Sequence, residues 1–209
     1  GLSPDDTQVE CFAAFVIYDL IVGMTVVIPD IDMSKPATAD PAKVVRAIEH
    51  HKATGAFGSP VIWANVTRWC QKNGVTLPTV KQVLTAGAPI PRDMHLRFRD
   101  VLAEGVELFT PYGATESLPV ANIGSAEVLA ETWERTAQGH GTCVGHLFPK
   151  VNVEIVRITD DPMPAWSDDL RVPDGEIGEF VIDGPMVSPE YKDRPDANAK
   201  AKIQREGRI

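Results

Sequence analysis

Short apolar runs alternate with longer stretches of helical periodicity through the first two-thirds of the chain. Met24 to Ile28 is a β-branched run bounded by Gly23 and Pro29, which suits a fully buried parallel strand. Asp40-Pro41 then supplies a helix cap with proline at the first helical position. Val44, Val45 and Ile48 follow on one face, and the helix should fade near Lys52. The pattern repeats with Ala53 to Phe57 as a strand, Ser59-Pro60 as a cap, and Ile62, Val66, Trp69 and Cys70 as an apolar face. Val80 to Ala86 predicts a third strand. Pro91 opens a helix carrying Met94, Phe98, Val101 and Leu102. Val106 to Phe109 predicts a fourth strand and Leu118 to Ile123 a fifth. Strands separated by helices of roughly 10 to 15 residues predict an α/β fold, a parallel sheet with helices packed on its faces.

The longest apolar stretch, Phe12 to Pro29, is interrupted by Tyr18, Asp19, Gly23 and Thr25, so it reads as a buried helix and strand and not as a membrane span. The character changes near Gly139-His140-Gly141. Beyond it Val151 to Ile158 and Ile177 to Ile182 alternate, punctuated by Pro162, Pro164, Pro173 and Asp174-Gly175. The reading is therefore an α/β subdomain over residues 1–140 and a β-rich one over 141–209. Pro195 to Ile209 is polar and reads as a frayed helix.

Composition narrows the function. Of 209 residues, 44% are hydrophobic and 23% charged, as in ordinary globular proteins. A net charge of −9 with scattered Lys and Arg argues against a nucleic-acid partner, which needs clustered cations. Cys11, Cys70 and Cys143 are far apart and show no zinc-site spacing, which predicts reduced thiols in a cytoplasmic protein. No basic n-region precedes an apolar core, and the chain starts at Gly1 without Met, which reads as a portion of something larger.

The most informative stretch is Thr110-Pro111-Tyr112-Gly113-Ala114-Thr115-Glu116, placed where the fourth strand ends. An aromatic ring, a glycine, a hydroxyl and a carboxylate follow one another there, at the edge of an open sheet where ligands usually bind. A second signal, Thr85-Ala86-Gly87-Ala88-Pro89-Ile90, ends the third strand, and Gly87 lies 25 positions before Tyr112, the length of one helix and one strand. Small residues at a strand end let a flat ligand approach the main chain. A plain strand-to-helix turn would look the same.

Tyr-Gly-x-Thr-Glu resembles a core motif of the adenylate-forming superfamily, which includes acyl-CoA synthetases, luciferases and peptide-synthetase adenylation domains. So do Gly87-Ala88-Pro89, Val144-Gly145-His146-Leu147-Phe148-Pro149 and Gly175-Glu176-Ile177-Gly178-Glu179, in the same order, with Tyr191 where a Gly-Tyr pair is usual. Lys150 stands where that family has glycine. The resemblance implies part of a large N-terminal domain that ends in a small distorted barrel. It also implies ATP and AMP with Mg²⁺ as cofactors. Gly87, Ala88 and Pro89 would wall the adenine slot, with Thr110, Pro111, Gly113 and Ala114 around the nucleotide and Tyr112 stacked on adenine. Thr115 would contact phosphate, and Glu116 would ligate magnesium; these last two are the catalytic candidates. The Ser/Thr/Gly-rich phosphate loop, the ribose-binding aspartate and the C-terminal domain with its catalytic lysine are not in the 209 residues. The chain reads as the adenine and magnesium half of an active site.

Gly23 to Met33, Gly58-Ser59-Pro60 with Trp63, and Asp183 to Pro189 are similar to segments of the β-lactone synthetases of bacterial long-chain olefin biosynthesis. Near Cys11 to Phe15 those relatives tend to carry a proline that is missing here. This resemblance implies ATP-dependent activation of a long-chain β-hydroxy acid (2-alkyl-3-hydroxy), closure to a β-lactone with release of AMP and pyrophosphate, and partnership with a β-lactone decarboxylase and a reductase. Phe12, Phe15, Leu118 and Val120 are candidate linings of an alkyl tunnel, with a core role competing for each. A fatty acyl-CoA ligase and a non-catalytic nucleotide-binding module remain the alternatives. Elsewhere, His50 and His51 read as solvated on different faces, His95 as a helix-surface residue, and His140 as part of a boundary loop. His146 is a weak ligand candidate. Trp63, Trp69 and Phe98 read as core, and Asp160-Asp161 with Asp168-Asp169 as a solvated loop.

Overall fold

Five parallel strands form the sheet of the first unit in the computed structural model, which describes residues 2–205. They are β1 (Thr7–Glu10), β2 (Thr25–Val27), β3 (Gly55–Gly58), β4 (Gln82–Thr85) and β5 (Glu107–Phe109), in the order β2-β1-β3-β4-β5. The register aligns Val9 with Ala56, Ala56 with Val83, and Val83 with Leu108. All four are fully buried, so one apolar rung crosses the sheet. Helices α1 (Val16–Val22), α2 (Pro41–His51), α3 (Pro60–Asn73) and α4 (Arg92–Val101) are the crossovers that parallel pairing requires. This unit comprises the residues up to Tyr112 together with Asn122–Gly145. The second comprises Gly113–Ala121 and the residues from His146 onward.

Local chemistry explains the helix boundaries. Asp40 accepts a hydrogen bond from the Ala42 amide at 2.9 Å, Pro41 fills the first helical position, and Lys52 closes α2 in a left-handed conformation. Val44, Val45 and Ile48 are buried beneath it. Trp63 is fully buried in α3, sits edge-on to Phe98 of α4 at 5.8 Å, and donates from Nε1 to the Leu84 carbonyl of β4 at 3.2 Å. Trp69 packs against the same core, half-buried. The Cys11 and Cys70 thiols are buried, which pushes them up to about 12 and about 11; Cys143 is exposed, and all three are free.

Four expectations change. Strand β1 was hidden because Gln8 and Glu10, two of its buried positions, are polar. Helix α1 was expected to be buried, yet Ile17, Tyr18, Leu20 and Ile21 are exposed, Ile21 at 77%. His95 is buried, not on the surface, because the packed stripe of α4 spans both Met94 and His95; burial lowers its pKa to about 4. His50 and His51 are exposed but meet edge-on with ring centroids 4.8 Å apart.

In the second unit the expected fifth strand exists as β7 (Ser117–Asn122), but it does not join the parallel sheet. It is the middle strand of a separate three-stranded sheet with β6 (Tyr112–Ala114) and β8 (His146–Leu147). A two-residue turn, Thr115-Glu116, joins β6 to β7, and only antiparallel strands can be linked so tightly. Strands β9 (Asn152–Val156) and β10 (Glu179–Asp183) pair antiparallel, from Glu179 opposite Val156 to Asp183 opposite Asn152. Asp160, Asp161, Asp168 and Asp169 are exposed, and Asp168 pairs with Arg171 at 2.6 Å. The short helices α5 (Ser125–Glu127) and α6 (Trp133–Ala137) flank a π-helical turn in the first unit, and α7 (Pro195–Ala201) lies in the second. Residues 206–209 of the expected terminal helix lie outside the described residues.

Lys150 adopts φ 68°, the left-handed region that an L side chain enters at a cost of about 1 kcal/mol. Lys150→Gly should therefore raise stability, by about 0.5 kcal/mol after the extra chain entropy glycine brings to the unfolded state. Urea unfolding of both proteins measures this, and a destabilised variant would contradict it.

Candidate active site

Strands β4 and β5 are parallel neighbours whose last register pair is Leu84 with Phe109. Their continuations, Gly87-Ala88-Pro89 and Thr110-Pro111-Tyr112, therefore leave the same end of the sheet, about one strand spacing of 4.8 Å apart at their roots. Gly87 has φ 98° and open space where a Cβ would stand; Gly87, Ala88 and Pro89 are exposed. Tyr112 is 36% exposed. Thr110 is fixed by its amide, which donates to the Ile123 carbonyl at 2.9 Å, and the Glu107 carboxylate accepts from the Ala126 amide at 2.9 Å. The two loops thus start from a braced edge.

At the same end, the strand order reverses between β1 and β3, and ligands of open α/β sheets occupy such a reversal. Aromatic rings gather there. Phe15 lies 4.4 Å from Phe57 and 5.5 Å from Phe12, and Tyr18 lies 5.7 Å from Phe15. Phe12 is 45% exposed and so is not a core residue. Phe57 belongs to this group and was read from sequence only as the end of a strand. Behind it, the buried Glu10 carboxyl accepts from the Phe12 amide at 2.8 Å, and burial pushes its pKa up to about 9.

In the second unit, Gly113 and Ala114 are exposed on β6, and Thr115 is exposed in the turn. A Cβ on Gly113 would stand 2.7 Å from Leu118 Cδ1 and 2.8 Å from the Ser117 carbonyl oxygen, so the tight hairpin admits only glycine there. Leu118 is half-buried, and Val120 is a fully buried core residue. Glu116 is half-buried, and the Tyr191 hydroxyl donates to its Oε1 at 2.7 Å. That bond, with a further one from its own amide, holds the Glu116 carboxyl below its ordinary range, and it is ionised. Sequence reasoning named Tyr191 as a motif position but gave it no role. His140 and His146 are exposed.

A magnesium ion fits this donor set. Among the described residues no group of three His, Cys, Asp or Glu side chains converges on a point. Magnesium does not need one, since it is usually held by one or two carboxylates with phosphates and waters completing six oxygens. Glu116 lines a cavity of about 310 Å³ together with Ser117, Tyr191, Lys200 and Lys202. A carboxylate has about four lone-pair sites, so its two hydrogen bonds leave room for a metal.

The first unit is thus an open, parallel α/β sheet whose adjacent strand ends carry these two loops. Residues 10–192 match the AMP-binding enzyme family, and the chain belongs to it. It is 40% identical over 204 residues to the olefin β-lactone synthetase of Stenotrophomonas maltophilia (strain K279a), covering 98% of this chain and 36% of that protein. It is 37% identical over 203 residues to the olefin β-lactone synthetase of Xanthomonas campestris pv. campestris, covering 97% of this chain and 36% of the relative. The chain thus spans about a third of the length of these relatives. Among solved structures, o-succinylbenzoate coenzyme A synthetase from Bacillus subtilis, in complex with ATP and a magnesium ion, superposes with a TM-score of 0.71 at 17% identity, covering 98% of this chain and 38% of that one. At that identity the likeness establishes the fold alone.

Proposed function

We propose that this chain is part of an AMP-forming enzyme that activates a long-chain β-hydroxy acid with ATP and closes it to a β-lactone. The observation that supports the reading is the β4–β5 register, in which the chain after Leu84 and the chain after Phe109 leave the same sheet edge. The two relatives named olefin β-lactone synthetase supply the reaction class.

In this reading the Ala88 main chain and the Tyr112 ring bound the two faces of adenine, with Thr110 and Pro111 fixing the approach to the ring. Gly113 and Ala114 keep the hairpin thin beside the nucleotide, and the Thr115 hydroxyl donates to a phosphate oxygen. Glu116 would hold Mg²⁺, which when bound neutralises charge on the phosphates. Phe12, Phe15 and Phe57 offer apolar surface to the alkyl tail. The substrate carboxylate attacks the α-phosphorus and pyrophosphate leaves. The substrate's own β-hydroxyl then attacks the acyl carbonyl and AMP leaves, so a four-membered ring forms without a second substrate. Holding the hydroxyl beside the carbonyl supplies proximity that a free nucleophile lacks.

No helix among the described residues is long and apolar enough to cross a membrane. We place the enzyme in the cytoplasm, taking its acid from a reductase and passing its lactone to a decarboxylase. The test is to incubate the full-length enzyme with ATP, Mg²⁺ and a long-chain β-hydroxy acid, without coenzyme A, and analyse products by mass spectrometry. Lactone and AMP are expected. A thioester formed only when coenzyme A is added, with no lactone, would establish the acyl-CoA ligase instead.

A further inference from the structure

Glu116 is held from one side by a single segment, and that segment is itself clamped. The Ser188 amide donates to the Glu116 carbonyl at 2.7 Å, Ser117 bridges Val187, and the Tyr191 hydroxyl donates to Glu116 Oε1 at 2.7 Å. Behind Tyr191 stands Asn198 of α7. Its Oδ1 accepts from the Tyr191 amide at 2.7 Å, and its Nδ2 donates to the Tyr191 carbonyl at 2.9 Å. Lys202, just after α7, donates to Ser188 Oγ at 3.2 Å and lies 5.7 Å from the Tyr191 ring centroid.

We infer that Tyr191, locked in place by Asn198, is the positioning residue that presents the Glu116 carboxylate to a divalent cation. The inference rests on the reading of Glu116 as the metal ligand. A free glutamate samples several rotamers, and fixing it at the moment of metal binding costs entropy. A phenol that already holds one carboxylate oxygen removes most of that cost and aims the rest of the group at the cavity that Glu116 lines. Asn198 suits its place because its side-chain amide offers both the acceptor that the Tyr191 N–H needs and the donor that its carbonyl needs. Aspartate would lose the donor, and leucine would lose both. Groups that orient a metal ligand in this way are usually worth about 10- to 100-fold in metal affinity.

Mn²⁺ serves as the probe, titrated by electron paramagnetic resonance into the full-length enzyme saturated with α,β-methylene-ATP. Tyr191→Phe removes only the hydroxyl and should weaken Mn²⁺ binding by about 10- to 100-fold, with AMP affinity in the absence of metal and the midpoint of urea unfolding unchanged. Asn198→Leu should weaken Mn²⁺ in the same direction. Wild-type Mn²⁺ affinity in Tyr191→Phe, alongside weakened binding in Glu116→Gln, overturns the positioning role and leaves the metal-ligand reading standing. Loss of AMP and Mn²⁺ affinity together in Tyr191→Phe also overturns it, because it marks a structural role. Unchanged Mn²⁺ affinity in Glu116→Gln overturns both readings.

Discussion

Glu116→Gln in the full-length enzyme should slow substrate-dependent pyrophosphate release by about 10²- to 10³-fold, the usual consequence of removing one group that stabilises developing charge. Glutamine keeps the shape of the side chain and an oxygen that can still accept from Tyr191. It loses the negative charge, and charge is what a hard divalent cation requires. A glutamate carboxylate is ionised at neutral pH, and the Tyr191 hydrogen bond lowers the Glu116 pKa further, so the contrast between variant and wild type is one full charge. The loss should fall on kcat, and raising Mg²⁺ should recover part of it. AMP affinity measured without metal should not change, since the adenine contacts assigned to Ala88 and Tyr112 are untouched. A variant that releases pyrophosphate at the wild-type rate would remove Glu116 from the chemistry.

The parts of this fold that were readable from sequence are those where the chemistry is local. Asp40-Pro41 and Ser59-Pro60 announce helix starts because a proline at the first helical position fixes φ locally; Asp40 also caps through its side chain, whereas the Ser59 hydroxyl makes no cap bond. The runs that became β3 to β5 are largely apolar because both faces of a parallel sheet are covered, whereas β2, expected to be fully buried, is the edge strand, with Thr25 exposed and Val26 and Val27 only half-buried. Strand β1 failed the same test, since Gln8 and Glu10 occupy buried positions normally filled by aliphatic residues. Helix α1 shows the converse. An apolar run states a preference for burial, and tertiary packing decides whether it is met. At the site, the Tyr112 to Glu116 motif and its distance from Gly87 could be read because one crossover fixes which strand ends are neighbours. The Tyr191 contact could not, because 75 residues separate it from Glu116 and no periodicity spans that interval.

Stability should fall as pH rises through neutrality, and Glu10 should be the reason. Its carboxyl is fully buried at the end of β1, where desolvation penalises the charged form and the nearby Asp19 carboxylate repels a second negative charge. Glu10 Oε2 and Asp19 Oδ2 are both buried without a hydrogen-bond donor, and Asp19 lies within hydrogen-bonding reach. One proton retained on Glu10 satisfies both oxygens. The folded protein keeps that proton up to about pH 9, whereas the unfolded chain releases it near 4.5. Between those values the native state binds more protons than the unfolded state, so this group lowers the unfolding free energy by about 1.4 kcal/mol for each pH unit gained. Asp19, also raised by burial, acts in the same direction. His95, buried neutral with its pKa lowered to about 4, opposes the trend at acid pH, but it does so equally in wild type and variant. Glu10→Gln removes the titration, and its amide can still donate to Asp19 while its oxygen accepts from Phe12. The stability of the variant relative to wild type should therefore grow by about 4 kcal/mol between pH 5 and pH 8. Urea unfolding at several pH values measures the difference. Curves for the two proteins that stay parallel across that range would mean that Glu10 is already ionised in the folded state, with water or another group supplying what the shared proton is argued to supply here.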